Sequence, residues 1–234
     1  MNHPLIRNDN TEMDFSFVLA SSVHDMKNSL GMLITTLAAM TEKYPPQDTQ
    51  QAKLLSTLEY EAARINTELI QLLALYRMDE QKLVFEVDEH HVLDIIEEQA
   101  ARNDTLLGSR GIQLDIACDP DLVWYFDSEM IGGVINNLLV NCARYSRQRI
   151  RIGAAIENGY LVISVADDGS GYPDSMLRDA ATATGMSFSS GSTRLGLVFA
   201  RKVLEMHKSK DRCGYLRLSN GGDLGGGIVQ LFLP

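Results

Sequence analysis

The stretch RIRIGAAIENGYLVISVADDG, residues 149–169, decides the fold class of the second half of this chain. Two apolar, β-branched runs flank Asn158-Gly159, a dipeptide that tolerates the left-handed backbone of a two-residue turn, so the segment predicts an antiparallel strand pair. Around it, IQLDIA (112–117) and VWYF (123–126) read as short strands, and IGGVINNLLVNCARYS (131–146) as a helix. A glycine- and serine-rich stretch, Gly185 to Gly191, precedes the helix of LGLVFARKVLEMH (195–207). YLRLSN (215–220) and GIVQLFLP (227–234) close the chain as strands around the turn GGDLGGG. Residues 87–234 are thus expected to form an α/β sandwich, with residues 79–86 as a linker.

Upstream of the linker the texture is helical. Val23, Met26, Leu30, Leu33, Leu37 and Met40 alternate three- and four-residue steps, which lays one apolar seam along a helix of roughly residues 14–43. Pro45 and Pro46 stop it. Leu55, Leu58, Ala62, Ile65, Leu69, Leu72 and Tyr76 repeat the alternation, so residues 14–78 predict an antiparallel helical hairpin. A hairpin this long can hardly dry both seams by itself, which predicts a homodimer built as a four-helix bundle. The fold class expected is α+β.

With 234 residues and 45% apolar content the chain is long enough to bury a substantial core. Its net charge of −10 disfavours nucleic acid and anionic lipid as partners, so any polyanion site must be built locally. Cys118, Cys142 and Cys213 are scattered without metal-ligand spacing and read as reduced thiols. The first residues, MNHPLIRNDNTEMD, lack an apolar signal core, and Leu30 to Met40 is too short and threonine-rich to span a bilayer. These features lead us to expect a cytoplasmic protein without membrane insertion.

Three elements carry candidate chemistry. VADDGSGYP joins a strand-end carboxylate to two glycines; glycine admits a ligand close to the backbone, and the carboxylate can accept a hydrogen bond from an amino group such as that of adenine. The same DDG is equally an ordinary turn. NNLLVNCARY sets Asn137 and Asn141 on one helix face, where amide oxygens can reach a Mg2+ that bridges phosphates and Arg144 can neutralise charge, or the face is simply polar. GSTRLGL leads into a helix N-terminus, a place that favours phosphate, as any glycine-rich loop before a helix would.

In this order the three elements resemble the N box and the two glycine boxes of the histidine kinase ATP-binding domain, a member of the GHKL superfamily. GGGIVQLFLP resembles its final glycine-strand element, and VHDMKNSL (23–30) resembles the acceptor box of the dimerisation and histidine-phosphotransfer domain. The resemblance implies an HATPase-like domain using ATP and Mg2+. Asp167 would bind the adenine amino group and Asn141 the Mg2+, while Asn137, Arg144 and Tyr145 line the nucleotide and Gly169, Gly171 and Gly196 give backbone access. It further implies that His24 accepts the γ-phosphate, with Asp25 orienting the imidazole and helping to remove its proton. Asn28, one turn on, would position water to dephosphorylate a response regulator receiver domain. Input would come from a separate sensory protein, a bound ligand or a part outside this sequence.

The sequence also departs from the family pattern. Ser29 replaces the usual proline of the acceptor box, and Arg194 stands where the second glycine box normally has glycine, either adding a phosphate contact or obstructing the loop. The lid between Tyr172 and Thr193 is short and carries one base, Arg178, among Asp174 and Asp179, which predicts weak ATP binding. The alternative reading is therefore a non-enzymatic histidine phosphotransferase with a degenerate ATP-binding domain. His3, His90, His91 and His207 lack an adjacent acid and amide, and are expected to be solvated or capping residues.

Overall fold

A computed structural model describes residues 15–79, 83–181 and 193–234, with side chains over 21–79, 83–178 and 195–234. Gly185 to Gly191, most of the expected lid, and the side chains of Asp179 and Arg194 lie outside the described residues. In chain order the elements are α1 (Phe15–Lys43), α2 (Thr49–Asp79), β1 (Asp88–His91), α3 (Val92–Ser109), β2 (Gln113–Cys118), β3 (Val123–Phe126) and α4 (Ser128–Tyr145). They continue with β4 (Arg149–Glu157), β5 (Tyr160–Asp167), α5 (Asp174–Ala181), α6 (Thr193–Met206), β6 (Lys208–Ser209), β7 (Arg212–Cys213), β8 (Tyr215–Asn220) and β9 (Gly227–Leu233).

The architecture is α+β. Helices α1 and α2 turn back on each other across Pro45-Pro46, and Asp48 caps α2 by accepting the Gln51 amide at 2.7 Å. Ser29 leaves α1 unbroken from Phe15 to Lys43. Of the predicted seam, Val23 and Ala62 are buried, but Met26, Leu33, Met40, Leu58, Ile65 and Leu72 remain exposed on the single chain. Another face of α2 contributes Tyr60 and Met78 to the core of the C-terminal unit.

That unit is a five-stranded sheet in the order β2-β4-β5-β9-β8, parallel between β2 and β4 and antiparallel elsewhere. Asn158 (φ 51°) and Gly159 (φ 75°) both take the left-handed backbone of the β4–β5 turn, as their dipeptide predicts. Alternate residues of the strands, among them Ile150, Ile152, Leu161, Ile163, Leu231 and Leu233, are fully buried in one core with Ile131, Ile135 and Leu139 of α4 and Leu204 of α6. Each such aliphatic side chain contributes about 1.5–3 kcal/mol by leaving water.

Three features go beyond what the sequence pattern carries. VWYF forms β3 but joins β1 in a separate ribbon instead of the main sheet. Helix α3 carries Gln99 and Asn103 on its buried face, so its apolar periodicity is broken and the sequence does not announce it. His207 is not solvated but 3% exposed, and as the residue after α6 it caps that helix. Its Nε2 accepts the Asp127 amide at 3.0 Å and its Nδ1 lies 2.9 Å from the Val203 carbonyl, which sets the tautomer with hydrogen on Nδ1. Burial pushes its pKa down. Asp127 in turn accepts the amides of Met130 and Glu86, tying α4 to the segment that enters the unit.

Candidate functional site

Strand β5 ends at Asp167, whose carboxylate is 6% exposed and lines a cavity of about 200 Å3 at the end of the sheet. Its Oδ1 accepts the amides of Gly169 at 2.7 Å and Gly227 at 3.3 Å, so the carboxylate is held by backbone and Oδ2 is left toward the cavity. The adjacent Asp168 is committed elsewhere, accepting the amides of Arg147 (2.7 Å) and Gln148 (3.1 Å) at the start of β4. Slight burial works against it, but these amides hold the Asp168 carboxyl below the usual carboxylate range.

Glycines make this cradle possible. A Cβ on Gly169 would strike the Tyr145 carbonyl, one on Gly226 would strike the Asp167 carbonyl, and one on Gly227 would come within 3.0 Å of Asp167 Oδ2 and 2.8 Å of the Tyr172 ring. Gly171 takes φ 76°, and a Cβ there would meet the Asn220 carboxamide at 2.8 Å. The walls are apolar, from Leu138, Cys142, Met176 and Leu197 together with Tyr172 and Tyr145. Burial, and then the nearby Asp167 charge, push the Cys142 thiol up and keep it protonated. Burial, followed by Cys142 and Asp167, does the same to the Tyr172 phenol.

Helix α4 brings Asn141 to the cavity, and Asn141 Nδ2 donates to Asn137 Oδ1 at 3.2 Å, which uses the amide nitrogen and not the metal-seeking oxygen. Asn137 itself is 5% exposed, lies behind Asn141, and is covered by Gly196 of α6, where a Cβ would strike its carboxamide. Its Nδ2 is buried without a partner. Arg144 is exposed one turn beyond, its guanidinium 5.4 Å from the Tyr145 ring centre. Of the residues picked from the sequence, the cavity therefore collects Asp167, Gly171, Asn141 and Tyr145, with Gly169 beneath; Asn137 and Gly196 form the α4–α6 contact behind it. The sequence does not single out the wall residues Leu138, Met176 and Leu197, since side chains like these occur throughout any core, and Ser170 and Tyr172 join the wall as part of the glycine loop.

On α1, His24 and Asp25 are 53% and 78% exposed at the side chain. Asn28 Nδ2 lies 3.3 Å and Asp25 Oδ1 3.7 Å from His24 Nδ1, so both neighbours gather on one ring nitrogen and Nε2 faces away from them.

The residues present fit a nucleotide with its cation. A backbone-held carboxylate suits an exocyclic amine, the glycines leave space that a Cβ would fill, and the Asn141 oxygen is a hard ligand suited to Mg2+. The cavity is base-sized, below the about 300 Å3 lower range of sites for larger ligands. No helix among the described residues is long and apolar enough to cross a membrane, and they contain no cluster of three His, Cys, Asp or Glu side chains able to hold a metal ion.

Comparison with known proteins bears on the same residues. The family described as histidine kinase-, DNA gyrase B-, and HSP90-like ATPase matches residues 126–234. The sensor protein kinase CarS of Pseudomonas aeruginosa is 27% identical over 237 residues, covering 100% of this chain and 49% of that protein. The sensor histidine kinase TmoS of Ectopseudomonas mendocina is 23% identical, covering 97% of this chain and 23% of that protein. CssS of Bacillus subtilis is 23% identical over 89% of this chain and 45% of its own length. The chain thus spans less than half the length of these relatives. In fold it is similar to the Acinetobacter baumannii histidine kinase AdeS (TM-score 0.57, 17% identity, 90% of this chain and 96% of that one). It is also similar to the catalytic domain of histidine kinase ThkA (TM-score 0.53, 20% identity, 64% of this chain and 96% of that one). The match over residues 126–234, together with the similarity to sensor histidine kinases along the rest of the chain, supports a sensor histidine kinase core with a GHKL-type ATPase domain.

Proposed function

We propose that the chain is a homodimeric protein histidine kinase that phosphorylates His24 from ATP and passes the phosphoryl group to an aspartate of a response regulator receiver domain. Residues 14–78 serve as the dimerisation and phosphoacceptor hairpin, 79–86 as linker and 87–234 as the ATP-binding domain. The observation that carries this reading is the Asp167 cradle, combined on one chain with an exposed histidine whose Nδ1 is flanked by an acid and an amide. The uncovered seam of Met26, Leu33 and Leu58 supports dimerisation, and its thiols, Cys118, Cys142 and Cys213, are free, as a cytoplasmic site of action would have them.

Asp167 binds the adenine amino group through Oδ2, and Leu138, Met176 and Leu197 exclude water around the base. Asn141 holds Mg2+, which when bound neutralises phosphate charge. Arg144 and Tyr145 line the phosphate side, and Arg194 is the remaining candidate for a phosphate contact. The Nε2 lone pair of His24 attacks the γ-phosphorus as the bond to the ADP oxygen breaks; the proton on Nδ1 passes to Asp25, leaving neutral phosphohistidine and ADP. This needs the tautomer with hydrogen on Nδ1, which Asp25 favours and a donating Asn28 amide disfavours. The receiver carboxylate then attacks the phosphorus and the P–Nε2 bond breaks. Asn28 instead orients water in the reverse, phosphatase, phase.

The test is incubation of the purified chain with γ-labelled ATP and Mg2+, beside His24→Gln. Acid-labile, base-stable label lost in the variant is expected. A second reading, a phosphorelay protein that takes phosphate only from a partner, draws support from Asn137 being covered by α6 instead of open to the cavity. Absence of label from ATP, with acceptance at His24 from a phosphorylated receiver, would decide for it.

A further inference from the structure

The polar side chains that line the nucleotide cleft are not equally placed to read a base. Ser170 and Tyr145 are exposed, and Asn141 Nδ2 already donates to Asn137. Asp167 and Tyr172 are more deeply set, and they meet at Gly227. A Cβ on Gly227 would come within 2.8 Å of the Tyr172 ring edge and 3.0 Å of Asp167 Oδ2, so the missing side chain lets the aromatic edge and the carboxylate oxygen flank one point. The Asn220 carboxamide grips the Tyr172 backbone on both sides, which fixes where the ring is rooted. No described residue accepts a hydrogen bond from the Tyr172 hydroxyl, and that oxygen is not sealed from solvent as the Tyr60 hydroxyl is.

Given the nucleotide reading of this cleft, we infer that Tyr172 determines base specificity: its hydroxyl donates a hydrogen bond to the ring nitrogen N1 of adenine, while Asp167 Oδ2 accepts from the neighbouring amino group. The cleft then offers an acceptor beside a donor, and adenine carries the matching donor and acceptor side by side on its N6–N1 edge. Guanine would set its carbonyl oxygen against the Asp167 carboxylate and leave the Tyr172 hydrogen unused. A single contact at Oδ2 lets the base pivot; a second contact from Tyr172 fixes its plane and direction. Burial, followed by Cys142 and Asp167, keeps the phenol protonated, so it enters as a donor near neutral pH. The Cys142 thiol, the other protonated group in this wall, is only a weak donor.

The test is calorimetric titration of the full chain and of Tyr172→Phe, in the presence of Mg2+, with ATP, with 1-deaza-ATP, which lacks the ring nitrogen N1, and with GTP. Phenylalanine keeps the ring and its packing against β9 and removes only the oxygen, so the variant folds, which circular dichroism checks. We expect ATP to bind Tyr172→Phe about five- to tenfold more weakly than the parent, the effect of one neutral hydrogen bond. 1-Deaza-ATP should bind parent and variant alike, and the margin of ATP over GTP should narrow in the variant by the same factor. Equal affinity of parent and variant for ATP would overturn the inference, as would an equal loss for ATP and 1-deaza-ATP or for ATP and GTP. In each of these cases ATP still binds, so the kinase reading stands. No binding of ATP to the parent would overturn both.

Discussion

The Asn220 carboxamide brackets the backbone of Tyr172, 48 residues away: the Tyr172 amide donates to Asn220 Oδ1 at 2.7 Å and Asn220 Nδ2 donates to the Tyr172 carbonyl at 2.8 Å. This pair pins the glycine loop after Asp167 to the end of β8, and the pinned residues Ser170, Gly171 and Tyr172 wall the nucleotide cleft. Asn220→Ala removes both bonds, each worth about 0.5–1.5 kcal/mol. Nucleotide affinity should fall about tenfold, measured with a fluorescent ATP analogue, while circular dichroism stays native. Unchanged affinity would show that the loop holds itself.

Gly196→Ala sets two effects against each other. Alanine favours a helix by about 1 kcal/mol over glycine, but its Cβ would strike the Asn137 carboxamide, which is 5% exposed and has nowhere to go. Overpacking of this sort costs about 1–3 kcal/mol, so the clash wins. The variant should melt several degrees lower and bind nucleotide more weakly, whereas Gly31→Ala, with open space around it, should melt no lower than the parent.

Leu58 and Leu33 are 58% and 53% exposed on the single chain although both lie on the hairpin seams. Leu58→Glu would place a charge in the proposed four-helix bundle and forfeit about 1.5–3 kcal/mol of apolar burial per copy. Sedimentation should then report a monomer at micromolar concentration, with nucleotide binding retained. A dimer of undiminished affinity would locate the interface elsewhere.

His207 makes stability depend on pH. Burial lowers its folded pKa beneath the ordinary 6.5, with Asp127 and the Val203 carbonyl working in the opposite direction. Between the folded and unfolded values the unfolded chain binds more protons, so stability rises with pH there and is lost as pH falls below about 6.5. The urea midpoint should drop between pH 8 and pH 5.5, and the drop should be smaller in His207→Gln.

Local pattern was enough for much of this protein. The seams of Val23 to Met40 and Leu55 to Tyr76, the Asn158-Gly159 turn and the Asp167-Gly169-Gly171 spacing are visible in the chain itself, because periodicity and turn chemistry involve residues only a few positions apart. Tertiary structure alone decided the rest. Asp167 and not Asp168 faces the cleft because Arg147 and Gln148 claim one carboxylate and Gly227 the other. Asn137 is covered because α6 lays Gly196 on it, and α3 hides its polar Gln99 and Asn103 against α2 and α4. His207 is buried because Asp127, 80 residues upstream, gives its ring nitrogen an amide. Each of these outcomes depends on a hydrogen bond or close contact between segments distant in sequence, which no local pattern encodes.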